Sequence, residues 1–170
     1  MKTNRLRLNC YIIIASAIIA CSTACRHSNN ISLKDSVAIT DSVDQMTANI
    51  SRDLAAKGPI VWLHYFDNSP QFFMINDGQL AFHDYASAKS FIQDTLVKNM
   101  RHIALTWKNK RIDPLDDNVV AIGSGFHEDI TMANGQTMPF DGYFSGTAIN
   151  TPNGWKLINL HWSTPKTVLK

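Results

Sequence analysis

The residues able to do chemistry in this 170-residue chain are few, and most lie in its C-terminal half. His161 sits in the closing stretch Gly154-Trp155-Lys156-Leu157-Ile158-Asn159-Leu160-His161-Trp162-Ser163. A histidine in a partly dry pocket shuttles protons near neutral pH. The same residue also fits a structural role, bonded to a neighbouring strand or helix. Asp141 stands in an aromatic run, Pro139-Phe140-Asp141-Gly142-Tyr143-Phe144. A carboxylate desolvated there would be a general base, although Asp-Gly is equally a turn or bulge signature. These two are the candidate catalytic residues. His127-Glu128-Asp129 places three metal-ligand types in a row, but on a strand only His127 and Asp129 share a face. The triplet reads as a solvated strand end, and neither a metal nor another cofactor is expected. His64, beside Trp62 and Tyr65, has no catalytic partner in the sequence and reads as a histidine at a helix surface or pocket mouth. There is no nucleophile elbow, Gly-rich phosphate loop or dinucleotide fingerprint.

Elements must hold these residues in place. Ser32-Leu33-Lys34-Asp35 has the form of a capping box. Ile39, Val43, Met46, Ile50 and Leu54 then recur at helical steps until Gly58-Pro59 ends the pattern. A short helix is predicted over residues 60–66, and Asp67 to Pro70 breaks it. Two short strands, 71–75 and 79–82, flank the turn Asn76-Asp77-Gly78. Asp84 can cap a third helix through Tyr85, Ala88, Phe91, Ile92, Leu96 and Met100. From Arg101 the apolar period becomes two. Strands over 118–131 and 136–150 and the closing strand are separated by Asn134-Gly135 and Asn153-Gly154. Helices first and strands last imply an α+β fold, with long antiparallel strands that must curl to bury one face on the helices. Gly123, Gly125, Gly142 and Gly146 fall mid-strand, where bends and bulges occur.

The first twenty residues read as a targeting segment. Lys2, Arg5 and Arg7 precede the apolar run Tyr11 to Ala20, too short for a membrane span. Ile18-Ile19-Ala20-Cys21 resembles a bacterial lipobox, which implies lipidation at Cys21, an anchor in the cell envelope, and a domain facing the periplasm or the exterior. Cys25 is a second candidate, and an ordinary signal peptide cut near Ala24 is the alternative. The expected organisation is a 1–20 lipoprotein signal peptide, a 21–32 tether and a 33–170 domain. All three cysteines precede that domain, which removes disulfides and thiol chemistry from it. Of 16 Lys and Arg, three lie in the leader; the remaining 13 against 14 Asp and Glu leave a formal charge of −1. With no basic cluster left, nucleic acid is not an expected partner.

The element order, Asp77-Gly78 ahead of the third helix, and the ending Asn153-Gly154-Trp155-Lys156-Leu157 with His161-Trp162-Ser163 resemble the nuclear transport factor 2-like superfamily, in its SnoaL-like branch. The ending is also similar to that of the association domain of calmodulin-dependent kinase. The resemblance spans about residues 35 to 164. It implies a cystatin-like cone, a curved antiparallel sheet packed on about three helices, with a pocket at its open end and frequent dimerisation through the sheet. The superfamily holds isomerases, cyclases, dehydratases, transport adaptors and association modules, so the resemblance implies a shape and not a reaction.

In such a cone, Trp62, Tyr65, Trp107 and Tyr143 could line the pocket with Asn159 and His161, matching the apolar walls and few polar groups of small-molecule sites. Each aromatic could equally be plain core. Strand parity puts Trp155, Leu157, Asn159, His161 and Ser163 on one face, assigned inward, with the reversed parity as the alternative. Ile158 and Leu160 with Trp162 then form an outward apolar patch, which predicts a sheet-to-sheet homodimer. The expected function is binding of a small, partly apolar ligand. The rivals are proton-transfer enzymology through His161 or Asp141, and a filled association scaffold.

Overall fold

The computed structural model describes residues 31–165. The 1–20 leader, Cys21 and nearly all of the tether lie outside the described residues. No described helix is long and apolar enough to cross a membrane.

Helix α1 (Leu33–Lys57) starts where the Ser32 hydroxyl accepts the Asp35 N–H, and it stops at Gly58, whose φ of 73° few side chains tolerate. Its buried face is Val43, Met46, Thr47, Ile50 and Leu54, the expected stripe without its first member, Ile39, which is half-buried. A 3₁₀ turn, Pro59–Val61, leads into the short α2 (Trp62–Tyr65). Strands β1 (Phe73–Asn76) and β2 (Gln79–Phe82) form a hairpin on Asp77 and Gly78, both at positive φ as a tight primed turn requires. Asp84 caps α3 (Tyr85–Phe91), accepting the Ser87 N–H at 2.7 Å. The helix continues through a wide π-turn, Ile92–Leu96, into a last turn α4 (Val97–Asn99).

Four long strands follow: β3 (Met100–Asp116), β4 (Val119–Met132), β5 (Thr137–Thr151) and β6 (Gly154–Ser163). The expected α+β class and curved sheet are found. All six strands join in one sheet of order β2-β1-β6-β5-β4-β3, antiparallel except where β1 runs parallel to β6. The hairpin is therefore an extension of the sheet. Its tip is fastened just beyond the last strand of the sheet: the Thr164 N–H donates to the Asp77 carboxylate at 2.7 Å. β3 is an edge strand backed by α1, and its pairing with β4 is broken at three places, one next to Asn109 at φ 50°.

Strand β6 corrects the parity expectation. In its ladder with β5, Ala148 pairs with Leu157 but Thr147 pairs with Asn159, so Ile158 is an extra residue, a β-bulge. Alternation holds as far as Leu157 and is reversed beyond it. Leu160 and Trp162 are buried, while Asn159 and His161 turn to the outer face. The outward patch of Ile158, Leu160 and Trp162 does not exist, and with it goes the argument for a sheet-to-sheet dimer through those residues.

Trp162 becomes the hub of the core. Its ring centroid lies 4.7 Å from Phe126, 4.8 Å from Phe144, and 5.8 Å from both Trp62 and Trp107. Opposite Phe126 in the ladder is Gly142, where a Cβ would collide with the Ser163 carbonyl oxygen and fall 2.7 Å from the Phe126 ring. Trp162→Ala should cost about 3–5 kcal/mol in urea unfolding, the range for truncating a buried aromatic. Gly142→Ala should cost about 3 kcal/mol or more, because the backbone of β6 would have to move as well as the ring.

Candidate functional site

The concave side of the sheet is not filled to its end. Between β4, the hairpin and the third helix lies a cavity of about 500 Å³, within the usual range for small-molecule sites. Trp62, Phe126 and Trp162 line it from the core side; the π-turn helix contributes Phe91, Ile92 and Leu96; the hairpin contributes Met74, Asn76 and Phe82. The wide turn at Ile92–Leu96 is thus part of the cavity wall, a placement common for π-bulges.

One ionisable side chain lines this space, Glu128. Strand β4 sends Phe126, Glu128 and Ile130 to the same side, and the cross-strand partners of Glu128 are Leu105 and Phe140. Among the described residues no hydrogen bond or ion pair reaches its carboxyl group. Burial among apolar groups pushes its pKa up from 4.5 to about 7. An acid at that value exchanges protons at neutral pH, which an ordinary carboxylate does poorly.

The residues expected at the site are scattered. Trp62 lines the cavity. Trp107 lies behind it, stacked on Trp162 with its indole N–H donated to the Thr47 carbonyl at 2.9 Å. Tyr65 is buried elsewhere, its hydroxyl donating to Asp53 at 2.7 Å; burial and that carboxylate push it to about 12. Tyr143 is 68 % exposed on the outer face. Asn159 and His161 flank a shallow outer hollow with Phe73 and Thr147.

Asp141 is also outside. Its carboxylate accepts from Lys108 at 2.7 Å and lies 3.0 Å from His127 Nδ1, and these partners hold its pKa below the ordinary carboxylate value. It stays ionised and solvated, the opposite of a desolvated base. His127 and Asp129 do share the outer face, as parity requires, with 3.5 Å between Nε2 and Oδ2. No group of three or more metal-ligating side chains occurs among the described residues. His64 is exposed, and its carbonyl accepts from Lys156 in a separate polar hollow. The cavity is not plugged by Trp62, Tyr65 and Trp107.

Glu128 corrects the expectation of a solvated strand end at residues 127–129: they lie inside β4, and Glu128 faces the cavity. Two signals were available. Glu128 is the single glutamate among 14 acidic residues, the rest being Asp. It also occupies the apolar phase of its strand, between Phe126 and Ile130.

No family model and no curated protein matches this sequence. Solved structures do. A nuclear transport factor 2-like superfamily protein from Salmonella enterica serovar Typhimurium is 18 % identical, covering 80 % of this chain and 94 % of its own, with a TM-score of 0.60. The fold is that of the nuclear transport factor 2-like proteins. A candidate scytalone dehydratase from Novosphingobium aromaticivorans is 12 % identical over 79 % of this chain and 89 % of its own, with a TM-score of 0.68. A candidate calcium/calmodulin-dependent protein kinase II association domain from Xanthomonas campestris is 15 % identical over 74 % and 87 %, with a TM-score of 0.60. At these identities the likeness is one of fold.

The raised acid has a stability consequence. Because the folded-state pKa of Glu128 lies above its unfolded value, unfolding releases a proton between about pH 4.5 and 7. Its ionisation therefore destabilises the fold progressively as pH rises through that window, and the loss is complete above it. Glu128→Gln should be more stable than the parent at pH 8, by about 1–3 kcal/mol, with little difference at pH 4. Paired urea titrations at the two pH values check this.

Proposed function

We propose that the chain is a lipid-anchored envelope protein whose cone binds a small, largely apolar molecule. The observation that carries the reading is the open cavity of about 500 Å³ with aromatic walls and one unpartnered carboxyl group. Leaving such a space empty forfeits dispersion contacts and burial, whereas a ligand recovers both. Its position between the sheet and the third helix agrees with the superfamily resemblance. The anchor rests on Cys21 and the residues before it.

A second reading, proton-transfer catalysis, is favoured by Glu128 itself. Its carboxylate could take a proton from a carbon beside a carbonyl. The acid so formed could return the proton to another carbon, as in an isomerisation, or to a departing hydroxyl, as in a dehydration. The candidate dehydratase among the fold neighbours is compatible with such a role. Asp141 and His161, on the outer face, are replaced in this reading by Glu128.

Native mass spectrometry of the full chain, purified gently from its host's envelope, should show a co-purifying small molecule. An empty protein that also takes up no apolar probe would sink the binding reading. The same spectrum reports self-association, and a homodimer across the sheet would have to use the outer face bearing Phe73, Tyr143 and His161. Metabolic labelling with a fatty acid should mark the protein and be abolished by Cys21→Ala but not by Cys25→Ala. For the catalytic reading, solvent deuterium should enter a fused-ring ketone at a rate that rises through about pH 7. Glu128→Gln should lower that rate by about 10²–10⁴-fold.

A further inference from the structure

The charge pattern of the cavity narrows the chemistry of what it holds. We infer that the cone selects a lipophilic cation: an amine on an aromatic or alicyclic body, its ammonium beside Glu128 and its body against Trp62, Phe126 and Trp162. This rests on the binding reading and is independent of the catalytic one.

Three observations point this way. First, Glu128 lines the cavity and no described Lys, Arg or His does, so the described residues supply no counter-charge. The groups that face it are apolar or uncharged from every side: Leu105 on β3, Phe140 on β5, Phe91 and Leu96 from the helix, and Met74 and Asn76 from the hairpin. Second, the other carboxylates with perturbed ionisation already have partners, as Asp141 has Lys108, Asp84 has Ser87 and Asp53 has Tyr65. Among the described acids with perturbed ionisation, the one without a partner faces the cavity. Third, the wall is rich in aromatic rings, Trp62, Phe126, Phe140 and Trp162 among them, and a ring that turns its face to a bound cation attracts it.

Energetics separate the candidate ligand classes. An anionic ligand would place two like charges in a dry site, which forces one of them to protonate. A neutral hydroxyl gives the carboxyl group one hydrogen bond and leaves its charge unbalanced. An ammonium supplies a charge-assisted hydrogen bond together with cation–π contacts in a low-dielectric setting, where both are strengthened. Binding the cation requires Glu128 to be ionised, so below its raised pKa one proton must leave for each amine bound. An alkylamine, like a lysine side chain, remains protonated well above that pH.

Three probes of one shape test the inference on the purified full-length protein: 2-naphthylmethylamine, 2-naphthylmethanol and 2-naphthoate, titrated calorimetrically at pH 5.5 and pH 8. The amine should bind at least tenfold more tightly than the alcohol at pH 8 and weaken about 30-fold at pH 5.5, the factor for one proton on a group titrating near 7. The alcohol should change by less than about threefold, and the carboxylate should bind weakest. In Glu128→Gln the amine should lose its advantage and its pH dependence, while the alcohol still binds; that retained binding shows the cavity intact. An alcohol as tight as the amine at pH 8, a preferred carboxylate, or an amine pH profile that survives Glu128→Gln would overturn the inference and leave the binding reading standing. No binding by any of the three would take down both.

Discussion

Trp162 reaches the centre of the core because Ile158 is an extra residue in its strand. Without that bulge, strict alternation would bring Asn159 and His161 inward and send Leu160 and Trp162 to water. Four aromatic contacts would be lost, and two polar side chains would enter a region with few partners for them. The bulge lets one strand bury Leu157 at one end and Leu160 and Trp162 at the other. The inner wall of the cavity follows from it, since Trp162 backs the space and props Trp62 and Phe126 around it.

The same packing explains why Glu128 behaves unlike the other acids of the chain. The aspartates sit at caps, turns and ion pairs, where short stems reach backbone N–H groups or lysines. Asp84 and Asp141 are pulled towards lower pKa by those contacts. Glu128 projects from the inner face of β4 on a longer stem, between Leu105 on one side and Phe140 on the other. Nothing among the described residues compensates it. A protein keeps such a group at a cost to stability, which is the usual mark of a position held for what it does rather than for what it supports.

Much of this arrangement could be read from residues alone. The Asp84 cap, the primed turn at Asp77-Gly78 and the stripe Val43, Met46, Ile50, Leu54 are local features, each specified by neighbours within a few positions, and each is present. The switch from helical to alternating periodicity near Arg101 marks where β3 begins. What could not be read is non-local. A bulge depends on how β6 meets β5, and one inserted residue flips every later side chain, so strict alternation assigns Asn159 and His161 to the wrong face. Tyr65 and Trp107 are aromatic in the way pocket residues are, but their polar ends are committed to Asp53 and the Thr47 carbonyl. Glu128 was legible in part, as a lone glutamate in an apolar phase. Its lack of a partner is a fact of three dimensions.

The interrupted pairing of β3 has a consequence for assembly. A 17-residue strand at the margin of a sheet offers a long row of unpaired backbone groups to any other chain. Here the row is broken near Met100, at Lys108–Arg111 around the left-handed Asn109, and again at Pro114. The opposite margin, β2, is four residues long. Neither border offers a straight ladder for a second molecule to extend, so continuous strand addition, the route to fibrous aggregates, is blocked at both ends of the sheet. Copies crowded side by side can meet through their side-chain surfaces without zipping together through their backbones.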